Sequence, residues 1–134
     1  MKIVAFGASS STKSINKKFA TFTASLFEGA EVKTLDLNDY EMPIYSEDRE
    51  GENGIPELAK KFFNEFTDTD LIIISFAEHN GTYTAAFKNI LDWASRIDKE
   101  LFQKTKTLIL STSPGPGGAS SVLNQAVNSF QFFG

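Results

Sequence analysis

Cysteine is absent from this chain of 134 residues, and histidine occurs once, as His79. Without cysteine there is no disulfide framework, no thiol nucleophile and no thiolate metal ligand. A zinc site is not expected either, because such sites take most of their ligands from histidine and cysteine. An excess of positive charge is also lacking, since the net charge is −4. This balance argues against a nucleic-acid partner held through its phosphates.

Long hydrophobic runs are missing as well. The N-terminal sequence MKIVAFGASS has too short an apolar part for a secretory signal, and no stretch is long enough to span a bilayer. We therefore expect no membrane partner and, by default, a cytoplasmic protein.

The residues that are present indicate a globular protein. Hydrophobic residues make up 41% of the chain and charged residues 22%, and thirteen phenylalanines predict an aromatic core. The length is typical of one domain, so residues 1–134 are expected to form a single domain.

Strand-like segments alternate with helix-like ones along the chain. The strands are predicted at Lys2–Phe6, Glu31–Leu37, Leu71–Phe76 and Thr107–Ser111. Such alternation implies βαβ units with right-handed crossovers. The predicted fold is α/β: a three-layer, doubly wound parallel sheet of flavodoxin type, with strand order 2-1-3-4. The fifth strand of that fold is missing at Gly134, which predicts a C-terminally truncated domain or a partner that completes the sheet.

The first helix carries a regular apolar pattern. Ile15, Phe19, Phe22 and Leu26 recur at spacings of four, three and four, as on the buried face of a helix, and Ser14 is its predicted N-cap.

Three further segments carry local expectations. Asn38–Gly54 is polar and is predicted as a long surface loop. The helix after the third strand is predicted from about Tyr83 to Arg96. At the end of the chain, Phe130, Phe132 and Phe133 are interpreted as an exposed aromatic cluster that marks an interface.

The loop after the first strand, Gly7–Asn16, combines small residues with hydroxyls just before a helix. Backbone N–H groups and the helix dipole favour an anion there, and hydroxyls add donors. The loop lacks the spacing of a dinucleotide-binding turn and the ending of a Walker A loop. It is either a phosphate cradle without a catalytic Mg²⁺ or a capped turn with solvated serines.

The loop after the third strand, Ala77–Thr82, contains the turn signal Asn80-Gly81. On its own, His79 is an ordinary loop residue more often than a catalyst. A hydrolase built from Ser9 and His79 is disfavoured, because GASSS lacks the nucleophile-elbow pattern.

The loop after the fourth strand, Ser113–Gly118, is rich in proline and glycine. It is either a plain connection or a place where the backbone approaches a flat ligand closely. Because the strands are parallel, this loop and the other two are expected at one edge of the sheet. A ligand with a phosphate at one end and a flat, hydrogen-bonding ring at the other would span all three loops.

At these positions the chain resembles the NADPH-dependent FMN reductase family, whose flavodoxin-like members include quinone, chromate and azo-dye reductases. The family's GSLRxxSxN loop is similar to Ala8–Asn16, and its PEYNGS loop is similar to Ala77–Thr82. Its KNxxDWxSR helix is matched by Lys88–Arg96, and its glycine-rich loop by Ser113–Gly118. Ser11 replaces the family's arginine, and Lys13 is a candidate for the missing positive charge.

The resemblance implies a set of FMN-binding residues. The first loop would hold the phosphate, Ala77–Gly81 would lie along the isoalloxazine ring, and Ser113–Gly118 would flank the ring's polar edge. The segment Leu71–Arg96 would thereby form the wall of the ring site. The residues assigned to the cofactor are Ser9, Ser11, Ser14, Ile15, Asn16, Ala77, Glu78, His79, Asn80, Gly81, Ser113, Pro114, Gly115, Gly117 and Gly118.

The resemblance also implies an activity. FMN would take hydride from NAD(P)H and pass electrons to a small-molecule acceptor such as a quinone, with no catalytic side chain and no metal. The family commonly forms homodimers or homotetramers, and the same is expected here. Two other readings stay open: a flavodoxin-like electron carrier without NAD(P)H turnover, and a cofactor-free interaction module.

Overall fold

The computed structural model describes residues 1–134, and its strands and helices alternate as predicted. The strands are β1 (Lys2–Ala8), β2 (Glu31–Leu35), β3 (Leu71–Phe76) and β4 (Lys106–Ser111). The helices are α1 (Ile15–Ser25), a 3₁₀ helix (Leu37–Tyr40), α2 (Glu47–Asn53), α3 (Glu57–Asn64), α4 (Ala85–Ala94) and α5 (Ser120–Phe130). None of the helices is both long and apolar enough to cross a membrane.

The sheet has the predicted order β2-β1-β3-β4, and every pair of neighbouring strands is parallel. The central strands β1 and β3 are almost wholly buried, as expected of strands covered on both faces. Strands β2 and β4 lie at the two edges and are more exposed. The flavodoxin-like fold class is therefore confirmed.

The two faces of the sheet are covered unequally. On one face, α3, α4 and α5 pack on the sheet and build an aromatic core of 22 buried residues, with Phe6, Phe76 and Phe87 near its centre. On the other face, α1 alone contributes helical residues to a cluster of five. The phenylalanines that the composition predicted as a core therefore collect mainly on one side.

The apolar stripe predicted to be the buried face of α1 lies outward instead. Phe22 is 61% exposed and Leu26 is 63% exposed. The face of α1 against the sheet consists of Asn16, Ala20 and Ala24. The reason is a close approach between α1 and β1 at Gly7, where an added Cβ would lie 2.3 Å from the backbone nitrogen of Lys17. Only small side chains fit between elements that come so near.

Two other local predictions need correction. The segment Asn38–Gly54 is not a continuous loop, because it contains most of the 3₁₀ helix and the whole of α2. The aromatic cluster at the chain end is not wholly exposed: Phe130 is buried, Phe133 packs on the core and Phe132 alone lies open, 72% exposed. Phe130 stacks on Phe102 at a ring separation of 4.9 Å, which anchors the end of α5.

Candidate functional site

The three loops named from the sequence meet at the carboxyl edge of the sheet. The strand register places Ala8 opposite Phe76 and Phe76 opposite Ser111, so β1, β3 and β4 end side by side. A cleft of about 340 Å³ lies between the loops that follow them. Its lining is Ser9, Ser11, Lys13, Ser14, Ile15, Asn16, Ala77, Glu78, His79, Thr112, Ser113 and Pro114. We call it the carboxyl-edge cleft.

Most of the predicted site residues line this cleft, but five lie outside it. Those five are Asn80, Gly81, Gly115, Gly117 and Gly118. Conversely, Thr112 lines the cleft and was not among the predicted residues. Its position directly after β4 was the available signal, since the first residue beyond a parallel strand lies at the carboxyl edge of the sheet.

Three serine hydroxyls of the first loop each accept a hydrogen bond from a backbone N–H group. Ser9 Oγ accepts from the Ser11 N–H at 3.1 Å, and Ser11 Oγ accepts from the Lys13 N–H at 3.3 Å. Ser14 Oγ accepts from the Lys17 N–H at 3.1 Å and so caps α1, as predicted. Each hydroxyl thus uses a lone pair, and its own O–H stays available to donate. Together with the positive end of α1, this arrangement suits an anion.

Lysine supplies the positive charge at this end of the cleft. Lys17 is engaged by Asp36, whose carboxyl lies 2.6 Å from the Lys17 ammonium. The hydrogen bond from Lys17 holds the pKa of Asp36 below its usual value. Lys13 forms no ion pair and is the cation in the lining. Its charge is therefore free to meet a bound anion.

Asn16 joins the first loop to the other two strand ends. Its Oδ1 accepts from Ser75 Oγ at 2.7 Å and from the Thr112 N–H at 3.1 Å. Its Nδ2 donates to the Thr112 carbonyl at 3.1 Å. The side chain is buried, and these bonds fix the three loops relative to one another. Thr84 makes a similar link, because its hydroxyl donates to the Ala8 carbonyl at 2.9 Å while capping α4.

The second loop closes in a tight turn between His79 and Thr82. His79 and Thr82 exchange two backbone hydrogen bonds, and Asn80 and Gly81 between them have positive φ of 53° and 78°. Positive φ at both central positions is the Asn-Gly turn that the sequence predicted. The turn carries Asn80 and Gly81 away from the cleft into solvent.

Glu78 connects the second loop to α5. Its Oε1 accepts from the Val122 N–H at 2.7 Å. Ala119, the residue at the N-cap position of α5, has no side chain that could do so. Glu78 therefore caps a helix from a neighbouring loop, and its negative charge meets the positive end of that helix.

The helix motif KN-DW-SR does not line the carboxyl-edge cleft. The expectation that all of Leu71–Arg96 forms the wall of the ring site is therefore too broad, because only Ala77, Glu78 and His79 of that range line the cleft. Trp93 is buried in a packed helix face, and its Nε1–H donates to the Pro43 carbonyl at 2.7 Å.

Comparison with known proteins identifies the family. The model of the NADPH-dependent FMN reductase family matches residues 1–134. A quinone reductase from Pseudomonas putida is 31% identical over 108 residues, which cover 79% of this chain and 56% of the relative. An uncharacterized homolog of protein MG342 from Mycoplasma pneumoniae is 32% identical, over 92% of this chain and 75% of the relative.

A solved structure is also similar. The flavoenzyme NAD(P)H:(acceptor) oxidoreductase FerB from Paracoccus denitrificans superposes with a TM-score of 0.79 at 26% identity. The superposition covers 99% of this chain and 72% of FerB. The chain spans about half the length of the curated quinone reductases that it matches, and each of these relatives is longer than it is. The family match, the strand order and the meeting of the three loops agree, and the chain belongs to the NADPH-dependent FMN reductase family.

Proposed function

We propose that the chain binds FMN in the carboxyl-edge cleft and transfers reducing equivalents from NAD(P)H to a quinone or similar small-molecule acceptor. The observation that carries this proposal is the group of three hydroxyls with free O–H donors at the N-terminus of α1, beside the unpaired Lys13. The names of two relatives, a quinone reductase and an NAD(P)H:acceptor oxidoreductase, support the same activity.

The residues of the cleft fit the two ends of FMN. Ser9, Ser11 and Ser14 would donate to the phosphate, and Lys13 would neutralise part of its charge. Ala77–His79 and the pair Ser113 and Pro114, which line the cleft, would lie along the flat ring. In this proposal the outlying glycines of the third loop, and Asn80 and Gly81, contribute through backbone conformation, since they do not line the cleft.

Asn16 acts differently from the other first-loop residues in this proposal. Its side-chain oxygen and one amide hydrogen are engaged by Ser75 and Thr112. We therefore assign Asn16 to holding the loops in place. Glu78 has the same kind of role at the N-terminus of α5.

Bound FMN would supply two-electron redox chemistry, while the protein supplies binding, orientation and electrostatics. No acid or base side chain is required for hydride transfer itself. His79 and Glu78 are the other ionisable groups in the lining, and Glu78 is occupied as a helix cap.

A titration with FMN, followed by quenching of flavin fluorescence, tests the proposal first. Saturable binding is expected. If no FMN binds, the reductase and electron-carrier hypotheses are both wrong, and the hypothesis of a cofactor-free interaction module is favoured. Steady-state oxidation of NADPH and NADH by the FMN-loaded chain, with a quinone as acceptor, then separates the two flavin readings. Tight FMN binding without turnover with any acceptor would favour the electron carrier.

We further propose that the chain forms a homo-oligomer and acts in the cytoplasm. The exposed stripe of large apolar residues on α1 supports self-association, because monomers rarely leave such a patch open. A cytoplasmic site fits the use of NAD(P)H, and fractionation of cells that produce the tagged chain tests it.

A further inference from the structure

A groove lies beside α1, on the part of the sheet face that α1 leaves uncovered. Leu71 and Leu110 are partly buried on the α1 side of the sheet. Leu108 is 36% exposed and lies on the same face as Leu110, because side chains two residues apart in a strand point to one side. Toward the amino ends of the strands the groove widens into a hollow of about 990 Å³, whose lining includes Phe27, Leu71 and Leu108. We call this apolar surface over β3 and β4 the α1–β4 groove.

The outward apolar stripe of α1 forms one wall of the groove. Lys17 bonds to Asp36, which directly follows β2, so Lys17 marks the flank of α1 that faces β2. At about 100° per residue, the centre of the stripe lies about 130° from the residues that face the sheet, on the flank opposite Lys17. In the sheet order β2-β1-β3-β4, that flank faces β3 and β4. The stripe consists of Ile15, Phe19, Phe22 and Leu26.

The spacing of the stripe is typical of a seam between two helices. Intervals of four, three and four residues place its members at alternating a and d positions of a heptad, the pattern by which paired helices interlock. Packed helices lie about 8–10 Å apart, which is roughly two strand spacings of about 4.8 Å. Since α1 packs mainly on β1, and β4 is two strands away, a helix paired through this seam would lie over β4.

α1 is itself the helix of this chain whose heptad stripe is open to solvent. A two-fold axis that runs along two copies of α1 makes them parallel and places each helix over β4 of the other copy. Each α1 would then lie between its own sheet and the sheet of the second copy. This explains why α1 has one face of small side chains toward its own sheet and a separate stripe of large ones. The same surface is used on both copies, as a closed dimer requires.

The charges at the amino end of the groove fit the end of such a helix. Because β1 and β2 are parallel, α1 runs back between them and ends at the amino edge of the sheet, where Glu28 follows it. Lys106 begins β4 at that edge and lies on the same face as Leu108. Neither Glu28 nor Lys106 forms an ion pair within the chain. In the parallel dimer, the negative end of one α1 would lie near Lys106 of the other copy.

The exposed area is also sufficient for the centre of a dimer interface. Five large apolar side chains of the groove and its wall would leave roughly 400 Å² per copy in solvent, given about 150–250 Å² for a large side chain. A stable interface buries about 800 Å² per partner, of which the rim is polar. The five are Ile15, Phe19, Phe22, Leu26 and Leu108, each at least 36% exposed.

We propose that α1 of a second copy of this chain fills the α1–β4 groove, parallel to the first α1, and that Glu28 of each copy meets Lys106 of the other. This inference names the interface of the proposed self-association and rests on it. It does not depend on the binding of FMN or on the reductase activity.

Sedimentation velocity of the full chain over a range of concentrations tests whether β4 belongs to the interface. Leu108→Lys puts a charge on the floor of the groove and should weaken dimerisation at least about tenfold, because the lysine would lose its hydration there. Val32→Lys is the matched control. Val32 is 39% exposed on the same face of the sheet but at the opposite edge, in β2, and its variant should dimerise as the wild type does.

Charge reversal tests the orientation of the helices without changing the apolar surface. Lys106→Glu and Glu28→Lys should each weaken dimerisation about threefold to tenfold, because each brings like charges together twice in the dimer. The double variant should recover most of the loss. Lys99→Glu makes the same change of charge at an exposed position outside the groove and should have no effect. A double variant that recovers nothing would overturn the parallel arrangement.

The outcomes separate this inference from the proposed function. A wild type that is monomeric at all concentrations rejects both the self-association and its interface. A wild-type dimer that Leu108→Lys leaves intact keeps the self-association but overturns the groove as its interface. A dimer that Leu108→Lys dissociates and Val32→Lys does not, in a chain that fails to bind FMN, supports the interface and rejects the reductase.

Discussion

Lys13 is the residue whose charge most directly tests how the first loop would hold a phosphate. Removing it in Lys13→Ala should weaken FMN binding by about twofold to fivefold, the effect of one solvent-exposed ion pair. Riboflavin, which has the same ring and no phosphate, should bind equally to both proteins. Lys18→Ala, also exposed but outside the cleft, is the control and should change neither affinity. An equal loss for riboflavin would contradict a contact with the phosphate.

Replacing Asn16 should lower the stability of the fold as well as the affinity for FMN. In Asn16→Ala the Ser75 hydroxyl and both backbone groups of Thr112 lose their partner. Leaving such groups unsatisfied should lower the free energy of unfolding by at least about 2 kcal/mol, measured by urea denaturation. Asn128→Ala, at an exposed helical position, should not destabilise the chain. A difference between the two variants below 1 kcal/mol, by the same estimate, would contradict the role of Asn16.

The roles of some single residues could be predicted from the sequence, and those of others could not. Ser9, Ser11 and Ser14 of the first loop could be named from the sequence, because their place before a helix determines what their hydroxyls can do. The partners of Asn16 and Glu78 could not be named, since both side chains reach groups that are far away in sequence: Thr112 and Val122. Such bonds depend on how loops from different strands meet.

At the scale of elements, the packing of α1 on β1 depends on Gly7. A Cβ at this position would meet backbone atoms of Lys17 at 2.3 and 2.7 Å, which cannot move aside separately. Gly7→Ala should therefore push α1 away from the sheet and lower the free energy of unfolding by about 1–3 kcal/mol or more. FMN binding should weaken too, because Ser14 and the N-terminus of α1 would move with the helix.

Gly51 is the control for Gly7, because replacing it by alanine is expected to raise the free energy of unfolding rather than lower it. Gly51 lies in the exposed helix α2, with no atom within 4 Å of an added Cβ. Gly51→Ala should stabilise the chain by about 0.5–1 kcal/mol, because alanine loses less backbone entropy in a helix. Urea denaturation of both variants compares them directly, and a Gly7→Ala protein as stable as the wild type would contradict the close approach.

A pH dependence is expected where α1 meets the 3₁₀ helix. Lys17 and the Asn38 N–H bind the ionised form of Asp36, so its pKa in the folded state lies below the usual value of 3.8. A lowered pKa contributes stability that is present above the unfolded-state pKa and is lost as the pH falls through the folded-state value. Asp36→Asn should therefore be destabilising near neutral pH, and the difference should shrink as the pH falls below 3.8. A difference that does not depend on pH would contradict the ion pair's contribution.

The fold of the whole molecule was more predictable than the orientation of its parts. Alternating strands and helices leave few parallel topologies, so the sheet order followed from the sequence. The periodic stripe on α1 was assigned to the wrong side, because periodicity identifies an apolar face but not what that face meets. The close contact at Gly7 requires Asn16, Ala20 and Ala24 to face the sheet, and this is a property of two elements together.

The last prediction concerns self-association of the chain through the outward apolar stripe of α1. One face of the sheet is covered by three helices and the other by α1, whose large side chains Phe22 and Leu26 lie in solvent. If a second copy covers them, light scattering should show an oligomer, and the double variant Phe22→Lys with Leu26→Lys should shift it toward the monomer. Val127→Lys, at a single exposed apolar position on α5, should leave the oligomer intact. A monomeric wild type at all concentrations, or equal association of all three proteins, would contradict self-association through α1.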